Sequence, residues 1–376
     1  MRLRILELLS SPVWTGPAEP MASVARALQR RGHRVEVAVD SRRPGDLRDR
    51  LRALGLPVRG DLALSTRAGP LAHLGDAGRL RRLARDLDLV HAHFSNDHAL
   101  ALLALRGLPG VRLVRTVHSA RSLRPRPFQG LVHRRTDGLV AVCRAHARLL
   151  VERFGVDPRR VLASRGAVDP AAFAPEGPDL RAELGLAPGQ PAAGIVARVK
   201  PDRRHGELLQ AFRAVAAGMP EARLVVVGRG EGLDALRALV AGSGLEGRVV
   251  FAGYRTGPEL AAAYRTLDAK VLLAEGNDGT CRALLEAMAC GRAAVAYRFG
   301  APAETVVDGV TGRLVDEGDV AGLAGALAEI LGDRARARAM GAAGRARALE
   351  LHGEERRAAE VEAFLEGLRS LPRAGV

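Results

Sequence analysis

Two carboxylates eight positions apart, Asp278 and Glu286, bracket a loop that carries Gly279 and runs into an Ala/Leu/Met-rich stretch ending at Gly291. The residues between and around them, Asp278-Gly279-Thr280-Cys281-Arg282-Ala283-Leu284-Leu285-Glu286, are the types that hold a diphosphate and a sugar. Backbone N–H groups at a helix start attract a diphosphate. The carboxylates then accept hydrogen bonds from sugar hydroxyls, one from the loop and one from within the helix. Two further pairs invite a chemical reading. His91 and His93 in VHAHF suggest metal ligands, but they are read as lying on opposite faces of a strand with no third ligand evident, so no metal is assigned. Gly228 and Gly230 follow an apolar run in VVVGRGEG, yet the third glycine of a dinucleotide fingerprint falls on Leu233, and the match is weak.

The elements that must position these residues alternate. Short β-branched runs at 3–9, 35–39, 87–93, 111–118 and 138–143 are separated by Arg- and Ala-rich helical stretches. A second series of runs follows at 191–197, 222–228, 248–253, 268–273 and 293–298. Continuous apolar runs of this length indicate parallel sheets buried on both faces. The Pro- and Gly-rich segment 170–191 reads as a hinge. The predicted organisation is therefore an α/β fold of two doubly wound domains, 1–187 and 188–350, with a helical tail 351–376 long enough to cross back onto the first. Doubly wound sheets bind ligands at the carboxyl ends of their strands, which is where each motif falls.

Composition narrows the class. The 376 residues are 47% hydrophobic and 26% charged, typical of a globular chain, and that length calls for two cores rather than one. Three cysteines, Cys143, Cys281 and Cys290, form neither a disulfide framework nor a zinc pattern. Glu7 interrupts the N-terminal apolar run, and no stretch reaches the ~20 apolar residues of a membrane span, so a cytoplasmic protein is expected. The net charge of +15 is lopsided: residues 1–185 hold 32 Arg against 18 acids, whereas 186–376 hold 25 bases against 24. A one-sided basic surface attracts anionic lipid or nucleic acid. Aromatic residues, at 3%, are too few to stack single-stranded bases, which disfavours nucleic acid.

The 278–291 segment resembles the E-x7-E signature, EGFGxPxxEAMACG, of the family-four retaining glycosyltransferases of GT-B fold. VARVKPDRRHGELLQAF at 196–212 is similar to that family's GRLxPEKGxxxLLEAF, TVH at 116–118 to its cleft histidine, and RFGAPAETVVDGVTGRLV at 298–315 to its GGxxEVVxxGxTGxLV. The resemblance implies two Rossmann-like domains facing a cleft. It implies that Asp278 with the Gly279, Thr280, Cys281 and Arg282 loop holds the donor sugar, and that Glu286 holds the nucleotide ribose. Arg198 and Arg203 would neutralise the departing diphosphate, with Lys200 as fallback, and His118 would face the donor sugar. Gly16 stands for the family's Gly-rich first loop, and Gly253-Tyr254 for the strand end that meets the nucleotide base. His91 is assigned to packing and His93 to lining the cleft. The Asp86-Leu87-Asp88 triplet, the metal motif of the other main glycosyltransferase fold, is assigned to strand-edge solvation. Asp278 is one methylene shorter than the family's Glu, Arg203 replaces its usual Lys, and Pro17 and Pro20 stiffen a loop that lacks the second glycine.

The resulting expectation is a retaining hexosyltransferase that uses a nucleotide diphosphate sugar, needs neither cofactor nor metal, and serves a saccharide or lipid-linked acceptor in cell-envelope synthesis. Arg121, Arg124, Arg126, Arg134 and Arg135, with Phe128 among them, are expected to meet an anionic membrane surface at roughly 1 kcal/mol per cation. The rivals are a nucleotide-sugar epimerase of the same fold, which turns over donor without acceptor, and a non-catalytic anion- or nucleic-acid-binding protein, which leaves the carboxylate pair unexplained.

Overall fold

The computed structural model describes residues 2–64, 70–275 and 278–374, with Pro70, Asp278, Gly279 and Thr280 placed through their backbone. The chain divides into two compact units, Met1–Gly166 with Asn277–Gly279 and Glu354–Val376, and Ala167–Gly276 with Thr280–Gly353. The second unit thus starts about twenty residues before the expected boundary at 188. The reason is packing: Leu180 and Leu186 are buried in one cluster with Ala192, Val225 and Leu267, so the Pro- and Gly-rich segment is part of that core.

The first unit is built on a parallel sheet of strands β1 (Arg4–Leu9), β2 (Arg34–Val39), β3 (Val58–Arg59), β4 (Leu89–Ala92), β5 (Arg112–Val117), β6 (Gly138–Ala141) and β7 (Val161–Ala163). Their order is β3-β2-β1-β4-β5-β6-β7. The second unit's sheet contains β8 (Ala192–Val196), β9 (Arg223–Val227), β10 (Val249–Gly253), β11 (Ala269–Leu272), β12 (Ala293–Tyr297) and β13 (Gly312–Val315), ordered β10-β9-β8-β11-β12-β13. Both sheets follow the dinucleotide-binding strand order, whose direction reverses beside the first strand. In each unit the switch point therefore lies between the first strand and the one that pairs on its other side: β1 and β4, then β8 and β11. Ten strands were legible as apolar runs. The three unforeseen ones, β3, β7 and β13, are short edge or near-edge strands with little continuous apolar sequence.

The last long helix, Glu354–Gly367, packs on the first unit. Val361, Leu365 and Leu368 join the cluster of Leu3, Ile5, Met21 and Val24. A polar rim reinforces the seam: Ser23 donates to Glu354 at 2.6 Å, Arg30 pairs with Glu355 at 2.6 Å, and Glu362 holds both Arg31 at 2.5 Å and His33 at 2.6 Å. Leu368 and Phe364 lie directly on Gly138, where a Cβ would come within 2.4 Å of a Leu368 methyl.

Candidate active site

The second unit presents its chemistry at the carboxyl ends of β8 and β11. After β8 the chain passes exposed Arg198 and enters the helix His205–Gly218 through a single 3-10 turn, Pro201–Arg203. The backbone of this loop is gripped by the turn after β9. The Val199 amide donates to the Arg229 carbonyl at 3.1 Å, and the Gly232 amide donates to the Val199 carbonyl at 3.1 Å. The approach is too close for side chains. A Cβ on Gly228 would lie 2.0 Å from the Ala197 carbonyl oxygen, and one on Gly230 would lie 2.2 Å from that of Val199. The GxG pair is thus explained as a brace for the Arg198 loop, in agreement with the weak dinucleotide match.

Arg203 is mostly buried at that helix entrance, next to His205. Burial, together with the charges of Lys270 and Arg203, pushes His205 down to about 4, so its ring is neutral near pH 7. Lys270 is a fully buried ammonium on β11, held down to about 7 by burial while Glu286 pulls the other way. His205 thus feels the charges of Arg203 and Lys270, and Lys270 feels that of Glu286. Sequence reasoning passed over Lys270, although a lysine inside the run DAKVLL was the available signal.

Glu286 lies in the helix Asp278–Ala289 and is 4% exposed. Its Oε2 accepts from the Tyr264 hydroxyl at 2.7 Å, and its Oε1 pairs with Arg282 Nε at 3.1 Å. Tyr264 is entirely buried, with its hydroxyl raised well above 10 by burial and by the Glu286 charge, and Phe173 packs on it edge-on at 6.0 Å. Two unit partners thus fix the carboxylate before any ligand arrives. Cys281 is buried on the same helix. The side chains of Asp278 and Thr280, together with Gly279, lie outside the described side chains, so the expected sugar contacts rest on the backbone position of the helix start.

At the end of β10, Gly253 adopts φ +72° and Tyr254 is 55% exposed. The Arg229 guanidinium sits over the Tyr254 ring at 4.2 Å, a cation–π pair that sequence reasoning did not foresee. Lys200 is drawn into an ion pair with Asp202 at 3.5 Å.

In the first unit, Gly16 falls in the turn before the helix Ala18–Arg30, and His118 follows β5 directly, 7% exposed. The reading of His91, on β4, and of His93, just past its end, requires correction. Residues two apart on a strand share a face, and His91 and His93 both reach Glu7, whose Oε2 lies 3.1 Å from His91 Nδ1 and 2.7 Å from His93 Nε2. A third group with a ligand atom is therefore present, and the three ligand atoms lie within 4.8 Å of one another. His93 Nδ1 lies 2.9 Å from His118 Nε2. Asp88 accepts from the Arg4 amide at 2.8 Å, a strand-edge contact. Among the described residues no helix is long and apolar enough to cross a membrane.

These features define an α/β protein with two Rossmann-like units, each with its switch point beside the first strand of its sheet. Residues 16–172 match the model described as Glycosyltransferase Family 4, and residues 177–347 match Glycosyl transferases group 1. The chain is 30% identical over 352 residues to phosphatidyl-myo-inositol mannosyltransferase of Mycolicibacterium smegmatis, covering 89% of this chain and 85% of that one. It is 32% identical over 288 residues to D-inositol 3-phosphate glycosyltransferase of Nocardia farcinica, covering 70% of this chain but only 63% of that relative. The fold is shared with HepE of Anabaena in complex with UDP, at TM-score 0.83 and 20% identity over 97% of this chain and all of that one. The chain belongs to the family-four glycosyltransferases.

Proposed function

We propose that the protein is a retaining hexosyltransferase whose second unit holds a nucleoside diphosphate sugar and whose first unit receives a hydroxyl-bearing acceptor of the inositol or glycolipid class. The observation that carries the reading is the buried Glu286 carboxylate, held by Tyr264 and Arg282 on the helix after β11, with Arg203 at the entrance of the helix after β8 at the same switch point. A buried carboxylate with fixed geometry suits a ribose diol, and guanidinium and ammonium groups at a helix entrance suit a diphosphate. Tyr254, stacked on Arg229, offers a face to the base.

In the proposed reaction, the bond from the anomeric carbon to the β-phosphate oxygen breaks while the acceptor oxygen bonds to that carbon from the same face. The acceptor proton passes to the departing diphosphate. Arg198, Arg203 and the start of the helix Asp278–Ala289 stabilise the charge that develops on the leaving group, so no metal is required. Relatives named for inositol phosphate and phosphatidylinositol support a polyol acceptor that is phosphorylated or lipid-linked.

The first unit also suits an anionic membrane surface. Phe128 is 79% exposed at φ +63°, at the start of the short helix Gln129–Arg134, and Arg121, Arg124, Arg126 and Arg135 are exposed around it. Incubation with UDP- and GDP-sugars and an inositol or phosphoinositide acceptor tests the reading. The expected result is a glycoside of unchanged anomeric configuration, formed equally well in excess EDTA. Donor turnover without acceptor, or activity that returns only with manganese, contradicts it. Sedimentation with anionic vesicles tests the membrane contact, which a five-Arg-to-Ser variant is expected to lose.

A further inference from the structure

Glu7 is 1% exposed within the otherwise apolar strand β1, between Leu6 and Leu8. A buried carboxylate is costly unless it is well partnered, so its surroundings are informative. Strand register assembles them. Glu7 pairs across with His91, which pairs in turn with Val114, so His93 and Thr116 follow two residues further along the same face. His91 and His93 are each 5% exposed, and both turn a ring nitrogen to the same carboxylate oxygen: Glu7 Oε2 lies 3.1 Å from His91 Nδ1 and 2.7 Å from His93 Nε2. The opposite nitrogen of each ring is also held. His91 Nε2 lies 2.8 Å from Thr116 Oγ1, and His93 Nδ1 lies 2.9 Å from His118 Nε2. A cavity of about 20 Å³ adjoins the group, with room for about one water.

Two imidazoles and a carboxylate that converge beside a small cavity are a ligand set for a transition-metal ion with one position left for water. The nitrogen donors favour zinc or a similar borderline ion over calcium and magnesium, which take oxygen. The spacing suits zinc. Bonds of about 2.0–2.1 Å in a tetrahedron separate neighbouring ligand atoms by about 3.3 Å. The Glu7–His91 separation of 3.1 Å is near that value, and the Glu7–His93 separation of 2.7 Å has to open by about half an ångström. The outer contacts fit as well, because a metal-bound imidazole is oriented by a hydrogen bond from its other nitrogen, and Thr116 and His118 stand at those positions. Arg357 also lines the cavity and favours an anion as fourth ligand, such as the hydroxide that zinc generates from bound water near neutral pH.

We infer that Glu7, His91 and His93 form a binding site for a single zinc ion, which ties β1 to the end of β4 and leaves its fourth position open to the cavity. Each imidazole turns a lone pair rather than an N–H toward the ion, His91 through Nδ1 and His93 through Nε2. Every residue of the site belongs to the first unit. The inference is therefore independent of the transfer step proposed above, whose leaving group is held by residues of the second unit and needs no metal. With ligands this deeply buried, excess EDTA strips the ion slowly.

The test measures zinc in the purified wild-type chain by elemental mass spectrometry, before and after equilibration with zinc in competition with a chromophoric chelator. About one tightly held zinc per chain is expected. A wild-type chain that neither retains zinc nor takes it up overturns the inference, and leaves two N–H groups on one carboxylate oxygen as the account of the cluster. The double variant Glu7→Gln/His93→Asn is expected to lose the ion; a full equivalent of zinc in that variant places the ion elsewhere and overturns the site. Thr116→Val keeps all three ligands and the side-chain volume but removes the hydrogen bond to His91. It is expected to weaken zinc binding about 10- to 100-fold, whereas wild-type affinity in this variant overturns coordination through His91 Nδ1. None of these measurements reads sugar transfer, so their failure and the failure of the transferase reading are separate.

Discussion

The two units share a strand order but prepare their switch points by different means. The first fills the region with ionisable side chains: Glu7, His91, His93 and His118 in one group, and Arg115, His98 and His133 in another, with His98 Nδ1 3.0 Å from Arg115 Nη1. The second adds close main-chain contacts to its buried Glu286–Tyr264 pair. Gly228 and Gly230 press the turn after β9 onto the Arg198 loop, and Gly300 brings the helix Gly300–Thr305 against the Glu275 carbonyl, where a Cβ would stand at 2.2 Å. The lesson is that one strand order can be filled with a hydrogen-bonded cluster of buried ionisable side chains in one domain and drawn together by close main-chain contact in the other.

Breaking the second unit's site has the largest expected consequence. Glu286→Ala leaves the buried Tyr264 hydroxyl and the Arg282 guanidinium without their acceptor. Sugar transfer is expected to fall by about 10²- to 10³-fold in kcat/KM, the scale of losing a charged hydrogen-bonding group from a buried site. Steady-state kinetics, with circular dichroism to confirm folding, check this.

The backbone brace comes next. Gly230→Ala forces a methyl to within 2.2 Å of the Val199 carbonyl, so the Arg198 loop must shift. Calorimetry is expected to show about a tenfold loss of nucleotide affinity, equivalent to ~1.4 kcal/mol. Unchanged affinity would mean that the brace is irrelevant to the donor.

Acid sharpens the contrast from the other side. His93 and His133 are each held down to about 4, both first by burial, and Glu7 is held down to about 2 by its histidine partners against the pull of burial. Each group binds protons more readily when unfolded. The stability contributed by neutral histidines is present above pH 6.5 and drains as pH falls toward 4, and that of Glu7 drains from 4.5 toward 2. Scanning calorimetry between pH 7 and 4.5 is expected to show the first unit's transition fall by roughly 5–10 °C.

The smallest effect concerns Lys270, held down to about 7. Its charge is present below that pH and absent above it, so nucleoside diphosphate is expected to bind about two- to fivefold more tightly at pH 6 than at pH 8. Lys270→Met is expected to flatten this dependence. On the stability side, a depressed native value means that the unfolded chain holds the extra proton between about 7 and 10.5, so the second unit gains stability as pH rises through that window.

Much of this was legible in the sequence, for identifiable reasons. Runs such as RLVVV and AAVAY can only be interior strands, and the helix carrying Glu286 announces itself through spacing. Contacts made by residues distant in sequence were not legible. Nothing local ties Tyr264 to Glu286 or Arg229 to Tyr254, because those pairs form only when neighbouring strands and helices register. His91 and His93 were visible but read on opposite faces with no third group, since their partner Glu7 stands some eighty residues earlier and was read only as an interruption of an apolar run. Lys270 hid within a strand because its fully buried ammonium is supported by surroundings that spacing does not reveal.

The account turns on donor capture by the second unit. Its most direct test is a crystal structure with a non-hydrolysable nucleotide sugar. The predicted density lies beyond the ends of β8 and β11, with the ribose hydroxyls on Glu286 and the diphosphate against Arg203 and the start of the helix Asp278–Ala289. Ligand bound at any other place, with Glu286 still held by Tyr264 and Arg282 as in the free protein, would contradict it.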